Sequence, residues 1–265
     1  MEQGPESILT FSLVRQHRRM LANMNCYLTR ESRILDFGCG AGDSVYQYRD
    51  AGFAAYGFDI RPAVDLRMPK DEQWFRFAMT GKPVNVPDYL VDRSSFRIPF
   101  EDGFFDFVFS TSTLEHVQDH SLVFAEIARV MKPGGVSIHT FPARYIPIEP
   151  HIYVPFGAAV QNFYWFFLWA LLGIRNEFQK RMSALDCARI NLHYSKTGLK
   201  YLTIGAIREL ALKHFKEAKL IPHLWKIGDE ACATLWGSLL MMPGVHRYTR
   251  WLYSRCSTVV LFLKR

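Results

Sequence analysis

Three glycines and two aspartates in this sequence have the spacing of a site for a nucleotide-like ligand. The glycines form a GxGxG pattern at Gly38, Gly40 and Gly42, where the missing Cβ lets the backbone turn sharply and approach a ligand. Asp36 lies two residues before this turn, where its carboxylate can accept a hydrogen bond from an ammonium group. Asp59 follows Gly38 by 21 residues, a distance at which an acid can accept from both ribose hydroxyls. The set predicts a site for an adenosyl amino acid.

The glycine spacing argues against a nicotinamide dinucleotide as the ligand. The dinucleotide fingerprint GxGxxG requires Gly or Ala at the position that Asp43 occupies here. The chain also has no YxxxK pair, which a short-chain dehydrogenase would need. Cys39, between the first two glycines, is expected to be a small residue in a tight turn, because no base stands beside it to make its thiol reactive.

The elements that must position these residues alternate between strands and helices, which is typical of a parallel sheet covered by helices. Apolar runs predict strands at Arg33–Phe37, Ala55–Asp59, Phe104–Ser110, Val136–Phe141 and Thr258–Leu263. Helices are predicted over Ile8–Tyr27, Asp43–Ala51, Leu122–Met131 and from Thr203 to about Lys213. The βα alternation extends over nearly the whole chain, so we expect one domain.

Composition restricts the class of protein. The chain has 265 residues, 49% of them hydrophobic and 22% charged, which excludes intrinsic disorder. The five cysteines are odd in number and form no CxxC pair, which favours a reducing, cytoplasmic location over a disulfide framework or a zinc site. A net charge of +7 suits an anionic partner without selecting one. The N-terminus carries acids before its first apolar run, unlike a secretory signal.

Five segments together resemble the class I S-adenosylmethionine-dependent methyltransferases, in particular those with small-molecule acceptors. The first is ILDFGCGAG at 34–42, followed by FDI at 58–60, IPFEDGFFD at 98–106, LEHV at 114–117 and VMKPGG at 130–135. The resemblance covers about residues 33–141. It implies a Rossmann-like α/β fold with a seven-stranded, mostly parallel sheet, whose sixth strand is Phe215–Ala218 and whose last strand is antiparallel.

The resemblance also implies a division of the chain and a set of cofactor contacts. A single domain, 1–265, comprises an N-terminal helical extension (1–32), a cofactor-binding core (33–141) and apolar helical insertions on the acceptor side (145–202 and 222–257). S-adenosylmethionine is the expected cofactor, with Asp59 on the ribose and Ile60 packed on the adenine. The family's acid that contacts the adenine amino group is replaced by Ser94, so Asp92, Ser95 or backbone groups are expected to take that contact.

A general base is expected if the acceptor is a hydroxyl, and His116 is the first candidate. It follows a strand whose carboxyl end borders the site, which is where α/β sheets bind ligands. His139, His151 and His193 are further candidates. A purely structural His116, hydrogen-bonded locally, is the alternative. The reaction needs no metal, and none is predicted, because a sulfonium methyl group is already activated.

Between His151 and Arg175 lie 23 residues without a charge, and as one helix they would be roughly 35 Å long, enough to cross a bilayer core. A single crossing is excluded, because strands on both sides of the segment belong to the same sheet. An interface helix, a re-entrant hairpin and a lid on the same domain remain open. A second apolar run, 231–245, follows the sixth strand. We therefore expect an acceptor that is hydrophobic or linked to a lipid or sugar, and peripheral contact with a membrane.

The sequence leaves two alternative functions open. RNA methylation would suit the positive charge, but the aromatic residues lie in uncharged runs rather than interleaved with Lys and Arg as in single-strand binding grooves. A scaffold that binds the cofactor without catalysis is the other alternative, although Asp36, Gly38, Gly40 and Asp59 are all present. The expected function is methyl transfer to a small molecule in the cytoplasm, at or near a membrane surface, with nucleic acid an unlikely substrate.

Overall fold

A computed structural model describes residues 12–62, 75–80, 96–221 and 258–265 of the chain. Seven strands form one sheet in the order β3-β2-β1-β4-β5-β7-β6. Their bounds are β1 Arg33–Phe37, β2 Ala54–Pro62, β3 Phe75–Thr80, β4 Phe105–Thr111, β5 Met131–Pro142, β6 Glu217–Ile221 and β7 Thr258–Lys264. Every neighbouring pair is parallel except the two that β7 makes with β5 and β6. The predicted Rossmann-like sheet with an antiparallel last strand is confirmed.

Six α-helices accompany the sheet in the described ranges: α1 Ser12–Ala22, α2 Asp43–Asp50, α3 His120–Val130, α4 Phe163–Leu171, α5 Ala184–Thr197 and α6 Ile204–Ala211. Side-chain caps explain where several begin, because a cap satisfies an amide that has no partner within the helix. Asp119 accepts a hydrogen bond from the amide of Leu122, and Thr203 accepts one from the amide of Ala206. The helix predicted from the N-cap Thr203 therefore begins where the sequence indicated.

Both faces of the sheet are buried, and successive residues of β1 contribute to opposite faces. Leu35 and Phe37 belong to a cluster that includes the apolar side chains of α3 and α6. Ile34 belongs to a second cluster, formed with residues of α1 and α2 such as Tyr48. Strands buried on both faces are near-continuously apolar, which is why the sequence identified them.

Several predicted boundaries are wrong by a few residues. Helix α1 ends at Ala22, five residues before the predicted end, and Asn25 shortly afterwards takes a left-handed φ of 55°. Helix α3 ends at Val130, because β5 already begins at the next residue. The sixth strand runs over Glu217–Ile221 rather than Phe215–Ala218. The buried Phe215 precedes it, packed edge-on against Phe124 of α3.

The charge-free segment after His151 does not form one long helix. Tyr153 and Phe156 have positive φ values of 60° and 51°, so the first part of the segment is irregular, and α4 begins only after the N-cap Asn162. Its nine residues extend about 14 Å, far less than a bilayer core. In the part of the chain that the structure describes, no helix is long and apolar enough to cross a membrane.

Helix α5 was not predicted, although its start carries a recognisable signal. Ser183 accepts a hydrogen bond from the amide of Asp186, and its hydroxyl donates to the Asp186 carboxylate. This is the capping-box pattern of a hydroxyl residue followed three positions later by an acid. The buried Ala188 of α5 packs in one cluster with Phe166 of α4. The insertion at 145–202 thus contains a helix pair, whereas the insertion at 222–257 lies outside the described residues.

Candidate functional site

The glycine-rich turn after β1 depends on backbone conformations that favour glycine. Gly38 and Gly40 have φ values of 82° and 53°, in the left-handed region, and Gly42 precedes α2 with a φ of 92°. The amide of Gly38 donates to the carbonyl of Phe58 in the middle of β2, with an N···O distance of 2.7 Å. A Cβ on Gly38 would lie 2.3 Å from Oγ1 of Thr113. The close approach of Thr113 therefore requires glycine at position 38.

Asp59 connects β2 to this turn. One of its carboxylate oxygens accepts from the amide of Gly40 at 2.7 Å, and the other accepts from the amide of Ile60 at 2.7 Å. Each carboxylate oxygen has a second lone pair, so these bonds orient the group without exhausting it as an acceptor.

A pocket of about 240 Å³ opens at the carboxyl ends of β1 and β4, beside the middle of β2. Its wall includes Gly38, Asp59, Ile60, Thr113 and His116, together with apolar side chains such as Phe37 and Val123. Ser112, also in this wall, has a φ of 51°, an uncommon conformation for a residue with a side chain. Three of the residues predicted from the sequence to contact a cofactor thus line one pocket, and so does the predicted base.

Asp36 and Cys39 belong to the same segment as the glycine-rich turn but are not part of this pocket wall. Both are buried. Burial, together with the nearby charge of Asp59, raises the pKa of Asp36 well above its usual value, although a hydrogen bond from Ser44 acts in the opposite direction. Cys39 packs in the cluster beneath α1 and α2. Gly40 contacts Asp59 without lining the pocket, and Asp92 and Ser95 lie outside the described residues.

His116 lies in the short 3₁₀ turn Leu114–His116 that follows β4. Its Nδ1 is 2.9 Å from the carbonyl oxygen of Gly198, just after α5. A carbonyl can only accept a hydrogen bond, so Nδ1 carries the proton, and Nε2 carries the lone pair in the neutral ring. Burial lowers the pKa of His116, although the bond to Gly198 partly offsets this. The neutral form, which can accept a proton at Nε2, is therefore favoured.

His151 lies beside His116, with ring centroids 4.9 Å apart and the rings nearly perpendicular. Nδ1 of His151 contacts Oε1 of Glu149 at 2.6 Å. Glu149 is fully buried, and it also accepts hydrogen bonds from the amides of His151 and Ile152 and from the hydroxyl of Tyr201. Burial alone would raise the pKa of Glu149, but these hydrogen bonds outweigh it and keep the carboxylate ionised.

Glu115, next to His116, is 1% exposed. Neither of its carboxylate oxygens accepts a hydrogen bond from another described residue. Burial raises the pKa of Glu115 to about 7, while its own backbone amide and the charge of His151 act against this shift. One candidate ligand atom from each of Glu115, His116 and His151 can be chosen so that all three lie within 4.8 Å of one another.

A second and larger pocket, of about 760 Å³, adjoins this cluster from the side of the insertion. His151 lies in its wall, together with residues of α5 such as Ile190 and Tyr194 and with the segment before α5, including Phe178. His116 lines the first pocket and His151 the second, so the histidine pair lies between the two pockets.

The other two predicted base candidates are placed differently. His139 is fully buried in β5, with Nδ1 2.8 Å from Oγ of Ser110, and burial lowers its pKa to about 3. It lies in the core between strands and faces neither pocket. His193 is exposed on α5 and lines the second pocket.

A family model described as a methyltransferase domain matches residues 35–139, which contain the glycine-rich turn, Asp59 and His116. The chain carries a class I S-adenosylmethionine-dependent methyltransferase domain. This confirms the resemblance in the sequence, and S-adenosylmethionine is the cofactor of the domain. The first pocket is chemically compatible with that molecule, because Asp59 offers a carboxylate for hydroxyl groups and apolar side chains form part of the wall, as an adenine ring would require.

Curated relatives match the methyltransferase domain over part of their length. The 2-methyl-6-phytyl-1,4-hydroquinone methyltransferase of Synechocystis sp. is 32% identical over 106 residues, 40% of this chain and 30% of the relative. The sterol 4-C-methyltransferase of Caenorhabditis elegans is 27% identical over 121 residues, 43% of this chain and 34% of the relative. The chain thus spans about a third of the length of these two relatives.

Among solved structures, the geranyl diphosphate C-methyltransferase of Streptomyces coelicolor is similar with a TM-score of 0.47 and 13% identity. The match covers 96% of this chain and 77% of that one.

Four residues that contact members of this candidate site were not predicted from the sequence: Glu115, Glu149, Thr113 and Tyr201. Glu115 stands next to the predicted base in LEHV, which was a usable signal. Glu149 lies two residues before His151, so the pair could have been considered together. No sequence pattern indicated Thr113 or Tyr201, because their roles arise from contacts with Gly38 and Glu149, which are distant in sequence.

Proposed function

We propose that this protein transfers a methyl group from S-adenosylmethionine to a small-molecule acceptor by in-line displacement. The observation that carries the proposal is the position of the His116–His151 pair between two pockets, one beside the glycine-rich turn and one lined by residues of the insertion. Bound S-adenosylmethionine supplies an activated methyl group on a sulfonium, so the protein's main task is to hold donor and acceptor in line. Two pockets on either side of one histidine pair are suited to that task.

The proposed cofactor contacts come mainly from the glycine-rich turn and from β2. Asp59 accepts from the ribose hydroxyls, because its carboxylate is oriented by two backbone amides and still has lone pairs. Ile60 packs on the adenine, and Gly38, Cys39 and Gly40 border the amino-acid part through their backbone. Asp36, two residues before the turn, accepts from the ammonium group of the cofactor. Asp92 and Ser95 remain the proposed adenine contacts.

His116 is the proposed general base where the acceptor is a hydroxyl. The bond from methyl to sulfur breaks as the bond from acceptor oxygen to methyl forms, and the acceptor proton goes to Nε2 of His116. The hydrogen bond to the Gly198 carbonyl supports this role, because it fixes Nδ1 as the protonated nitrogen. Positioned acid–base catalysis of this kind contributes about 10²–10⁴-fold in rate.

The proposed acceptor is hydrophobic, either free or linked to a lipid or sugar. The second pocket combines apolar and aromatic side chains with a few polar groups, as small-molecule sites generally do. Two of the relatives named above are methyltransferases of a phytyl hydroquinone and of a sterol, which is consistent with an apolar acceptor here.

Calorimetry with S-adenosylmethionine and S-adenosylhomocysteine tests the cofactor site. We expect one molecule bound per chain, and about tenfold or greater weakening in Asp59→Asn, since tenfold corresponds to the loss of about 1.4 kcal/mol. Asp50→Asn, an exposed acid at the end of α2, is the matched control. Absence of binding, or equal affinities in the two variants, would contradict the proposal.

Incubation with methyl-labelled cofactor and cell extract tests the acceptor. Label in the lipid or small-molecule fraction is the expected result. Label in RNA would favour the RNA methyltransferase alternative instead. Cofactor binding without label in any fraction would favour the non-catalytic scaffold.

We further propose that α4 contacts a membrane surface from which the acceptor is taken. Tyr164, Leu168 and Leu171 of α4, with its C-cap Leu172, follow i, i+4, i+7, i+8 spacing and so share one face, and these residues are 45–81% exposed. The exposed Lys180 and Arg181 follow shortly afterwards and would favour anionic headgroups.

Flotation with vesicles that contain anionic lipid tests the membrane contact. The chain is expected to float, and Leu168→Glu combined with Leu171→Glu is expected to abolish flotation. Leu212→Glu, at a similarly exposed leucine after α6, is the control and should float normally. A chain that fails to float with anionic vesicles has no such surface.

A further inference from the structure

We propose that Glu115, His116 and His151 form a binding site for one divalent transition-metal ion at the boundary between the two pockets. Candidate ligand atoms of the three residues lie within 4.8 Å of one another. Two histidines and one carboxylate are a frequent ligand set for catalytic zinc and for non-haem iron, with further positions open to water or substrate.

The first argument is the state of Glu115. Its carboxylate is almost completely buried, and neither oxygen accepts a hydrogen bond from another described residue. Buried polar groups in folded proteins are nearly always paired, because an unpaired one loses its hydration without compensation. A cation between Glu115 and the two imidazoles would supply the missing partner.

The second argument is the orientation of the two imidazoles. Nδ1 of His116 bonds to the Gly198 carbonyl, and Nδ1 of His151 bonds to the carboxylate of Glu149. Histidines that bind metals usually donate their other N–H to a carbonyl or a carboxylate in this way, which fixes the tautomer and orients the ring. Glu149 is itself held by the Tyr201 hydroxyl and by two amides, so the support around His151 is complete.

The third argument selects the ion. Imidazole nitrogen suits Zn²⁺, Fe²⁺ and related ions, whereas Mg²⁺ and Ca²⁺ prefer sets made of oxygen ligands. Ligand atoms about 2.0–2.2 Å from one ion lie roughly 3–4 Å from each other. The candidate ligand atoms here lie within 4.8 Å of one another, so side-chain movements of about 1 Å would bring them to these distances.

The chemical role of this ion rests on the proposed methyl transfer, whereas the proposal that the ion binds does not. At this boundary, the ion would coordinate an acceptor oxygen and lower the pKa of that hydroxyl, so that its proton would pass to water. The bond from acceptor oxygen to methyl would then form as the bond from methyl to sulfur breaks. His116 and His151 are then ligands, and a base role for His116 applies to the metal-free site.

Metal titration of the full chain, dialysed first against a chelator, tests the site. Zn²⁺ is followed by calorimetry and Co²⁺ by its visible absorption. We expect one ion per chain, and about 100-fold or greater weakening in Glu115→Gln and in His151→Asn. Glu149→Gln should weaken binding by about 10–100-fold, as removal of supporting carboxylates generally does. Glu209→Gln and His214→Asn, away from the cluster, are the matched controls and should bind like the parent.

Calorimetry with S-adenosylhomocysteine on every variant shows that each is folded and distinguishes the two proposals. If the parent protein binds the cofactor but neither Zn²⁺ nor Co²⁺, the metal site is overturned and the proposed function is unaffected. Metal affinity that stays equal in Glu115→Gln and His151→Asn would also overturn it, because the ion would then lie elsewhere. Metal binding without cofactor binding would instead contradict the proposed function.

Discussion

Replacement of Gly38 by alanine should be far more damaging than the same change at Gly40. Both glycines have left-handed φ values, of 82° and 53°, so both variants acquire backbone strain of about 1–2 kcal/mol. A Cβ at position 38 would lie 2.3 Å from Oγ1 and 2.4 Å from Cγ2 of Thr113, whereas a Cβ at position 40 would have no described atom within 4 Å. Overpacking of this kind costs a further 1–3 kcal/mol or so. We therefore expect losses of about 2–5 kcal/mol for Gly38→Ala and about 1–2 kcal/mol for Gly40→Ala.

Urea unfolding at equilibrium measures this difference, and a double-mutant cycle assigns its cause. In Gly38→Ala combined with Thr113→Gly, all three close contacts are absent, so the cost of Gly38→Ala should fall to that of Gly40→Ala. Calorimetry should also show at least about tenfold weaker cofactor binding in Gly38→Ala, because Gly38 lines the pocket. Equal unfolding free energies for the two single variants, or no coupling to Thr113, would refute the steric reasoning.

Two further predictions concern stability. Burial alone would raise the pKa of Glu126, but hydrogen bonds from Arg129 and the Ile98 amide lower it. The ionised Glu126 therefore contributes fully to the free energy of unfolding above its unfolded-state pKa of about 4.3, and this contribution is lost as the pH falls through its folded-state pKa. Urea unfolding at pH 7 and at pH 3–4 should show a smaller acid-induced loss in Glu126→Gln than in the parent, and an unchanged loss would contradict this. Thr203→Ala removes the cap on the Ala206 amide and should cost about 1 kcal/mol, while Thr203→Ser should cost little; equal unfolding midpoints for the two variants would exclude a capping role.

The sequence predicted the sheet well, because each central strand is an apolar run buried on both faces. Ile34 and Leu35 belong to clusters on opposite faces, and burial of this kind leaves a direct trace in the residue types. The glycine-rich turn and Asp59 were recognisable for a similar reason, since their chemistry depends on type and spacing within one βαβ unit.

The acceptor side was not predictable in the same way. Composition left an interface helix, a re-entrant hairpin and a lid open after His151, and the positive φ values at Tyr153 and Phe156 show that the chain turns there. The meeting of His116 with His151, and of His116 with Gly198, depends on how the insertion folds back over the 3₁₀ turn. Contacts between residues so far apart in sequence leave no periodic pattern from which a single sequence could predict them.

The contact between His116 and Gly198 has a consequence for how specificity for the proposed acceptor can change during evolution. The imidazole is held by a main-chain carbonyl, and every amino acid supplies that oxygen. Side chains along α5 can therefore diverge to suit other molecules without loss of the proton arrangement on His116, provided that the path of the backbone is kept. Insertions or deletions near the end of α5 would be the changes that uncouple a new specificity from the existing chemistry.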